Sequence, residues 1–175
     1  RDSSTSRGLG DVYKRQVIII SGALIGLSAS QRVIMRASFF EQAVGFLTDL
    51  QTQMRFCGDS LPVLLRTGSG KLLQPLLEVC AQGMESGASF FEAWQNALMQ
   101  LPHSMGLSKE DIRLLTDFGQ GLGTTDVEGQ LAHCELYKTM FSSRLKQARE
   151  EKEKKVKLYR MLGLFSGVAV SLLIL

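Results

Sequence analysis

Apolar residues recur three and four positions apart through most of this chain, which is the spacing of an α-helix that buries one face. Five such stretches, separated by breaks that contain glycine or proline, lie between about residue 33 and residue 148. No stretch alternates apolar and polar residues as a half-buried strand would. The pattern therefore predicts an all-α protein whose centre is an antiparallel helical bundle.

Turn and cap residues predict where these helices begin and end. The first helix follows an apolar stripe from Val33 and ends before Pro62. Three shorter helices are expected, beginning near Lys71, after Ser89 and after Ser108, because serine is a good N-cap and glycine or proline separates the stretches. The third of these should stop in the glycine-rich run 119–123.

A fifth helix is predicted to begin at a capping box formed by Thr125 and Glu128. In such a box the first side chain accepts a hydrogen bond from the third helical N–H, and the second side chain reaches back. Residues 149–155 are all charged, and three glutamates in 150–153 precede lysines by four positions, the favourable orientation on a helix. We expect the helix to continue through them into the apolar C-terminal run.

Two uncharged apolar runs, residues 17–29 and 161–175, flank the central region. Each is shorter than the roughly 20 residues that a membrane-spanning helix needs. Neither has a polar face, so we interpret residues 17–30 as a truncated transmembrane helix and residues 158–175 as a C-terminal transmembrane helix. The alternative is a pair of buried core helices.

Basic residues border both apolar runs on the side of the central region. By the positive-inside rule, this places residues 31–157 in the cytoplasm as a helical bundle. The residues that would set this orientation are Arg32, Arg36, Lys152, Lys154, Lys155, Lys157 and Arg160. Each run also carries two glycines four residues apart, a spacing that lets membrane helices approach closely: Gly22, Gly26, Gly163 and Gly167.

The first sixteen residues are polar and have no helical period. Residues 11–16 read as one frame of the transposase adapter used in sequencing libraries, so we interpret residues 1–16 as a probable sequencing-adapter artefact. The alternative is a disordered, weakly basic tail. We leave this segment out of the fold prediction.

The charge of the chain is unevenly distributed. The 20 Lys and Arg and 17 Asp and Glu give a net charge of +3, but residues 37–143 hold only 6 basic against 12 acidic side chains. An acidic central domain argues against nucleic-acid binding. It suits a basic partner surface instead, for which four acids are the candidate contact residues: Glu41, Asp49, Asp117 and Glu135.

No motif for catalysis, cofactor binding or metal binding emerges from the sequence. Residues 68–71 resemble the end of a phosphate-binding loop, but its first glycine and the preceding strand are missing. Cys57, Cys80 and Cys134 fall on apolar faces, and no cysteine or histidine pair has the spacing of metal ligands. We expect no cofactor and no enzyme activity; a thiol-dependent enzyme and a helical scaffold without a membrane role are the alternatives.

The chain resembles the stage III sporulation protein AB family over residues 17–175. The resemblance is carried by residues 122–130, which contain a Leu-Gly-x-x-Asp segment followed by Gln, and by the lysine-rich run 153–167 leading into the apolar tail. Residues 49–62 resemble the family's exit from its first helix. The family's N-terminal Met and the first half of its membrane segment have no counterpart here.

The resemblance implies a role in endospore formation. Such proteins are similar to the cytoplasmic domains of type II secretion F proteins, which form a membrane platform. The implied location is the mother-cell membrane around the forespore, in a secretion-like channel complex. The implied partners are an ATPase like stage III sporulation protein AA, other membrane proteins of the complex and membrane lipids.

Overall fold

The computed structural model describes residues 5–56, 60–66 and 70–173, and within them all regular structure is helical. The all-α prediction is therefore confirmed at the level of fold class. The elements in chain order are α1 (Thr5–Phe56), α2 (Leu61–Arg66), α3 (Gln74–Glu85), α4 (Phe90–Met99), a 3₁₀ turn (His103–Met105), α5 (Lys109–Gly121) and α6 (Val127–Leu173).

Two of the predicted N-caps form as expected. Ser89 opens α4 and Ser108 opens α5, each accepting a hydrogen bond from the backbone N–H three residues on while the acid there bonds back. α6 also continues without a break through the charged residues 149–155. There, Lys155 Nζ lies 3.3 Å from the Glu151 carboxylate, one of the predicted pairs.

Other helix limits differ from the predicted ones. Pro62, expected only to break the chain, lies in the first turn of the short helix α2, where a missing N–H costs nothing. α5, by contrast, ends at Gly121, inside the glycine-rich run 119–123 where it was predicted to stop. α1 is a single helix of 52 residues rather than one that begins near Val33.

The chain divides into two compact units. One unit, which we call the bundle unit, consists of Met35–Arg149. The other, the terminal unit, combines the chain up to Ile34 with the chain from Glu150 onward.

The core of the bundle unit is built on aromatic side chains from four helices. The Trp94 indole N–H donates to the carbonyl oxygen of Leu115 at 2.7 Å, so the polar atom of this buried ring is satisfied. Its ring stacks on Phe90 and meets Phe118 edge-on. Ring-to-ring contacts connect α4, α5, α6 and α1 in the order Phe90, Trp94, Phe118, His133, Tyr137, Phe141, Phe40 and Phe39.

The terminal unit exposes most of the large apolar side chains that are accessible to solvent. Of fifteen such residues among those described, nine lie in this unit: Val17, Ile20, Leu24, Ile25, Leu27, Leu158, Met161, Leu162 and Phe165. Over the described residues, no helix contains an apolar stretch of the length and hydropathy needed to cross a membrane.

Candidate functional site

A buried ion pair joins α1 to the start of α5. Arg36 donates from Nε to Asp111 Oδ2 at 2.6 Å and from its terminal nitrogen to Oδ1 at 3.0 Å. Both side chains are almost completely buried. Arg144 Nε of α6 lies 3.9 Å from the same carboxylate. Basic residues of α1 and α6 therefore both approach Asp111 of α5.

The same carboxylate is part of the α5 cap. Asp111 Oδ2 accepts from the Ser108 N–H at 2.9 Å, and the Asp111 N–H donates to Ser108 Oγ at 3.1 Å. Arg36 was predicted to be one of the basic residues that orient the chain in a membrane. It instead lies inside the bundle unit, because its partner, 75 residues away in sequence, could not be seen in the local pattern.

The connection from α5 to α6 is held by the side chain of Gln130. This side chain is buried, and its Oε1 accepts from the Gly123 N–H at 2.8 Å. Its Nε2 donates to Thr125 Oγ1 at 2.8 Å. Gly123 has a φ of +82°, a backbone conformation that favours glycine. One buried amide therefore fixes the turn within the segment on which the family resemblance rests.

The N-cap of α6 differs from the predicted capping box. The helix begins at Val127, and Asp126 Oδ1 accepts from the Gly129 N–H at 3.0 Å. Asp126 therefore caps the helix, while Thr125 bonds to Gln130 and Glu128 is exposed in the first turn. Aspartate is as good an N-cap as threonine. Because the Thr125 hydroxyl accepts from Gln130, Asp126 is the residue that caps α6.

Two glycines of α5 allow neighbouring rings to approach the helix backbone. A methyl group placed on Gly119 would overlap the Trp94 ring, and one placed on Gly121 would overlap the His133 ring. The sequence indicated these glycines as a helix stop. α5 does end in this run, at Gly121, and the structure adds a second role that a single-sequence pattern does not show, the close packing of two rings.

A small cavity of about 230 Å³ lies beside this turn. It is lined by Met54, Leu61, Leu64, Gly123, Thr125, Val127 and Gln130. Sites for drug-sized ligands are usually about 300–1,000 Å³. The cavity is therefore suited to a side chain rather than to an organic cofactor.

The cysteines and histidines do not form a reactive centre in the described residues. Burial raises the pKa of the Cys80 thiol to about 12 and that of Cys134 to about 11. Both thiols are therefore protonated at neutral pH, whereas a nucleophile must be a thiolate. The His133 ring nitrogen Nε2 lies 2.9 Å from the Phe118 carbonyl oxygen, to which it can only donate. Cys57 lies outside the described residues.

Metal ligands are likewise not gathered at one place. Among the described residues, no group of three or more His, Cys, Asp or Glu side chains is arranged to hold an ion.

The four candidate partner acids are all exposed. Glu41 accepts from Arg149 at 2.7 Å, and Glu135 lies 2.6 Å from Lys138 Nζ. Asp49 lies on α1 and Asp117 on α5. Exposed pairs of this kind contribute little stability, so a partner's basic groups could replace the internal ones.

The remaining predicted residues lie in the terminal unit. Arg32, Lys152, Lys154 and Lys157 are exposed, and Lys155 pairs with Glu151. Gly26 is buried within α1. The side chain of Arg160 and the surroundings of Gly22, Gly163 and Gly167 lie outside the part of the structure whose side chains are described.

Comparison with known proteins gives one consistent relationship. A sequence model of the family described as Stage III sporulation protein AB matches residues 16–175. Stage III sporulation protein AB of Bacillus subtilis (strain 168) is 23% identical over 171 residues, which is 95% of this chain and 98% of that protein. A solved structure of a stage III sporulation protein AB is similar with a TM-score of 0.62 at 18% identity, over 69% of this chain and 98% of that chain. The structural likeness concerns the fold.

Proposed function

The chain belongs to the stage III sporulation protein AB family, a family of sporulation proteins, and we propose that it is a membrane-anchored platform for a cytoplasmic ATPase. In this proposal the terminal unit holds the protein at the mother-cell membrane around the forespore. The bundle unit faces the cytoplasm and binds an ATPase like stage III sporulation protein AA, beside other membrane proteins of a secretion-like complex.

The observation that carries the proposal is the concentration of exposed apolar side chains in the terminal unit. Large apolar side chains exposed in such numbers are usually covered by a partner or a membrane. Exposed basic residues such as Lys152, Lys154 and Lys157 adjoin it in sequence and suit anionic lipid headgroups. A lipid environment would cover the apolar side chains and attract the lysines.

The acidic excess of the bundle unit supports the docking part of the proposal. Residues 37–143 of this unit hold 12 acids against 6 bases, and the whole unit, Met35–Arg149, holds 12 against 10. A basic surface on the ATPase would be steered to such a unit, and salt would weaken the encounter. The raised thiol pKa values give no support to a thiol-dependent enzyme.

Recruitment of the purified ATPase to vesicles that carry the full chain tests this proposal. We expect recruitment that weakens as salt rises, and a loss of about tenfold in affinity for the double variant Asp49→Lys, Asp117→Lys. The matched control is Glu153→Lys, an exposed acid of the terminal unit, which should behave as the wild type. Failure of the wild-type chain to recruit the ATPase at any salt concentration would reject the docking role.

A further inference from the structure

An apolar groove lies between α4 and α5 on the bundle unit. It consists of two cavities of about 250 and 230 Å³ that share Leu98, Met99 and Ile112. Met99 is 76% exposed despite its position at the end of α4. Methionine adapts its shape to a partner, so this groove has the character of a binding surface.

One side of the groove is basic. Lys109 and Arg113 lie one helical turn apart on α5, next to the groove residues Ile112 and Thr116, and both are exposed. Within the described residues, no carboxylate lies within 4.0 Å of either side chain. An occupant with apolar residues along one face and acids beside them would match this groove.

α6 presents such a face. Ala132, Leu136 and Met140 follow one another at intervals of four on its exposed side, with Leu136 53% exposed. Glu128 lies four residues before Ala132 and Glu135 one before Leu136, so both are exposed along one edge of this stripe. Glu135 also lies 2.6 Å from Lys138 Nζ, an intramolecular pair that a basic group of a second copy would replace. The groove and this acidic-edged stripe both belong to the bundle unit.

We propose that the α6 stripe of one copy docks in the α4–α5 groove of a second copy. Leu136 and Met140 would cover Met99 and Ile112, as in other complexes in which a helix lies in a groove. Glu128 and Glu135 would face Lys109 and Arg113. The occupant is a second copy because the chain itself carries both surfaces, with complementary apolar character and opposite charge.

The contact joins two different surfaces, so it is head-to-tail. Repetition of a head-to-tail contact gives a ring or an open chain of subunits. The contact goes beyond the platform role and does not require the ATPase.

Cysteine cross-linking of the full chain in detergent micelles tests this contact directly. Met99→Cys and Leu136→Cys are introduced separately, each with Cys57→Ser; the remaining cysteines, Cys80 and Cys134, are buried. We expect a cross-linked dimer when the two variants are mixed and none from either alone. Cross-linking of Leu136→Cys to itself, or the absence of a cross-linked dimer in the mixture, would overturn the proposal.

Charge reversal supplies a second test that does not depend on cysteine geometry. Lys109→Glu with Arg113→Glu, and separately Glu128→Lys with Glu135→Lys, should each weaken self-association by about tenfold or more in analytical ultracentrifugation. A chain with all four changes should recover association, because the charges are exchanged. Lys71→Glu is the matched control. No self-association of the wild type, or no rescue by the fourfold change, would contradict the contact.

Discussion

The Arg36–Asp111 pair places two opposite charges out of water, so each depends on the other. Asp111→Asn keeps the size of the side chain but removes the charge that balances Arg36. Breaking a buried pair in this way typically costs about 3–5 kcal/mol, which we expect as the fall in the free energy of unfolding in urea. The control is Glu78→Gln, which breaks the exposed pair with Arg66 and should cost about 1 kcal/mol or less. Equal losses in the free energy of unfolding for Asp111→Asn and Glu78→Gln would contradict a special cost for the buried pair.

Gly119 and Gly45 are matched helical glycines in different surroundings. At Gly45 an added methyl group would meet nothing within 4 Å, whereas at Gly119 it would overlap the Trp94 ring. Gly45→Ala should therefore raise the free energy of unfolding by about 0.5–1 kcal/mol, because alanine favours the helix. Gly119→Ala should lower it by about 1–3 kcal/mol through overpacking. Thermal unfolding of both variants measures the difference, and stabilisation by Gly119→Ala would contradict the close approach.

The two buried thiols predict a loss of stability at high pH. Their pKa values rise from 9.0 to about 12 for Cys80 and about 11 for Cys134. The unfolded chain therefore releases these protons first, and the free energy of unfolding should fall as the pH rises above 9 and level off near 11–12. Urea denaturation of the wild type and of Cys80→Ala, Cys134→Ala measures the two slopes. If the free energy of unfolding of the double variant falls as steeply with pH, other titrating groups cause the fall.

At the scale of single elements, two variants test whether Asp126 or the predicted Thr125–Glu128 capping box caps α6. Asp126→Ala should lower the free energy of unfolding by about 1 kcal/mol, because it leaves the Gly129 N–H without its acceptor. Glu128→Gln should have an effect of a few tenths of a kcal/mol, since the exposed carboxylate only favours the helix dipole. A larger loss for Glu128→Gln than for Asp126→Ala, measured by urea denaturation, would restore the capping box predicted from the sequence.

These elements also show what a single sequence can predict. The caps at Ser89 and Ser108 could be predicted because each depends on an acid three residues away. The role of Gly119 could not, because the ring that approaches it belongs to another helix. The buried position of Arg36 escaped prediction for the same reason, and Gln130 has no local signal for the turn that it holds. The hydrogen bonds of the two serine caps were predictable; the bonds of Gln130 to residues five and seven positions away, and the contacts between distant segments, were not.

At the scale of the whole molecule, the exposed apolar residues of the terminal unit predict membrane attachment through specific side chains. Leu24 and Ile25 are among the most exposed of them, at 57% and 71%. Burial of one such side chain is worth about 1.5–3 kcal/mol, so Leu24→Lys with Ile25→Lys should lower the vesicle partition constant by about a hundredfold or more. The control is Val63→Lys, an exposed apolar residue of the bundle unit. Flotation with vesicles measures both, and equal partitioning of the two variants would place the lipid contact elsewhere.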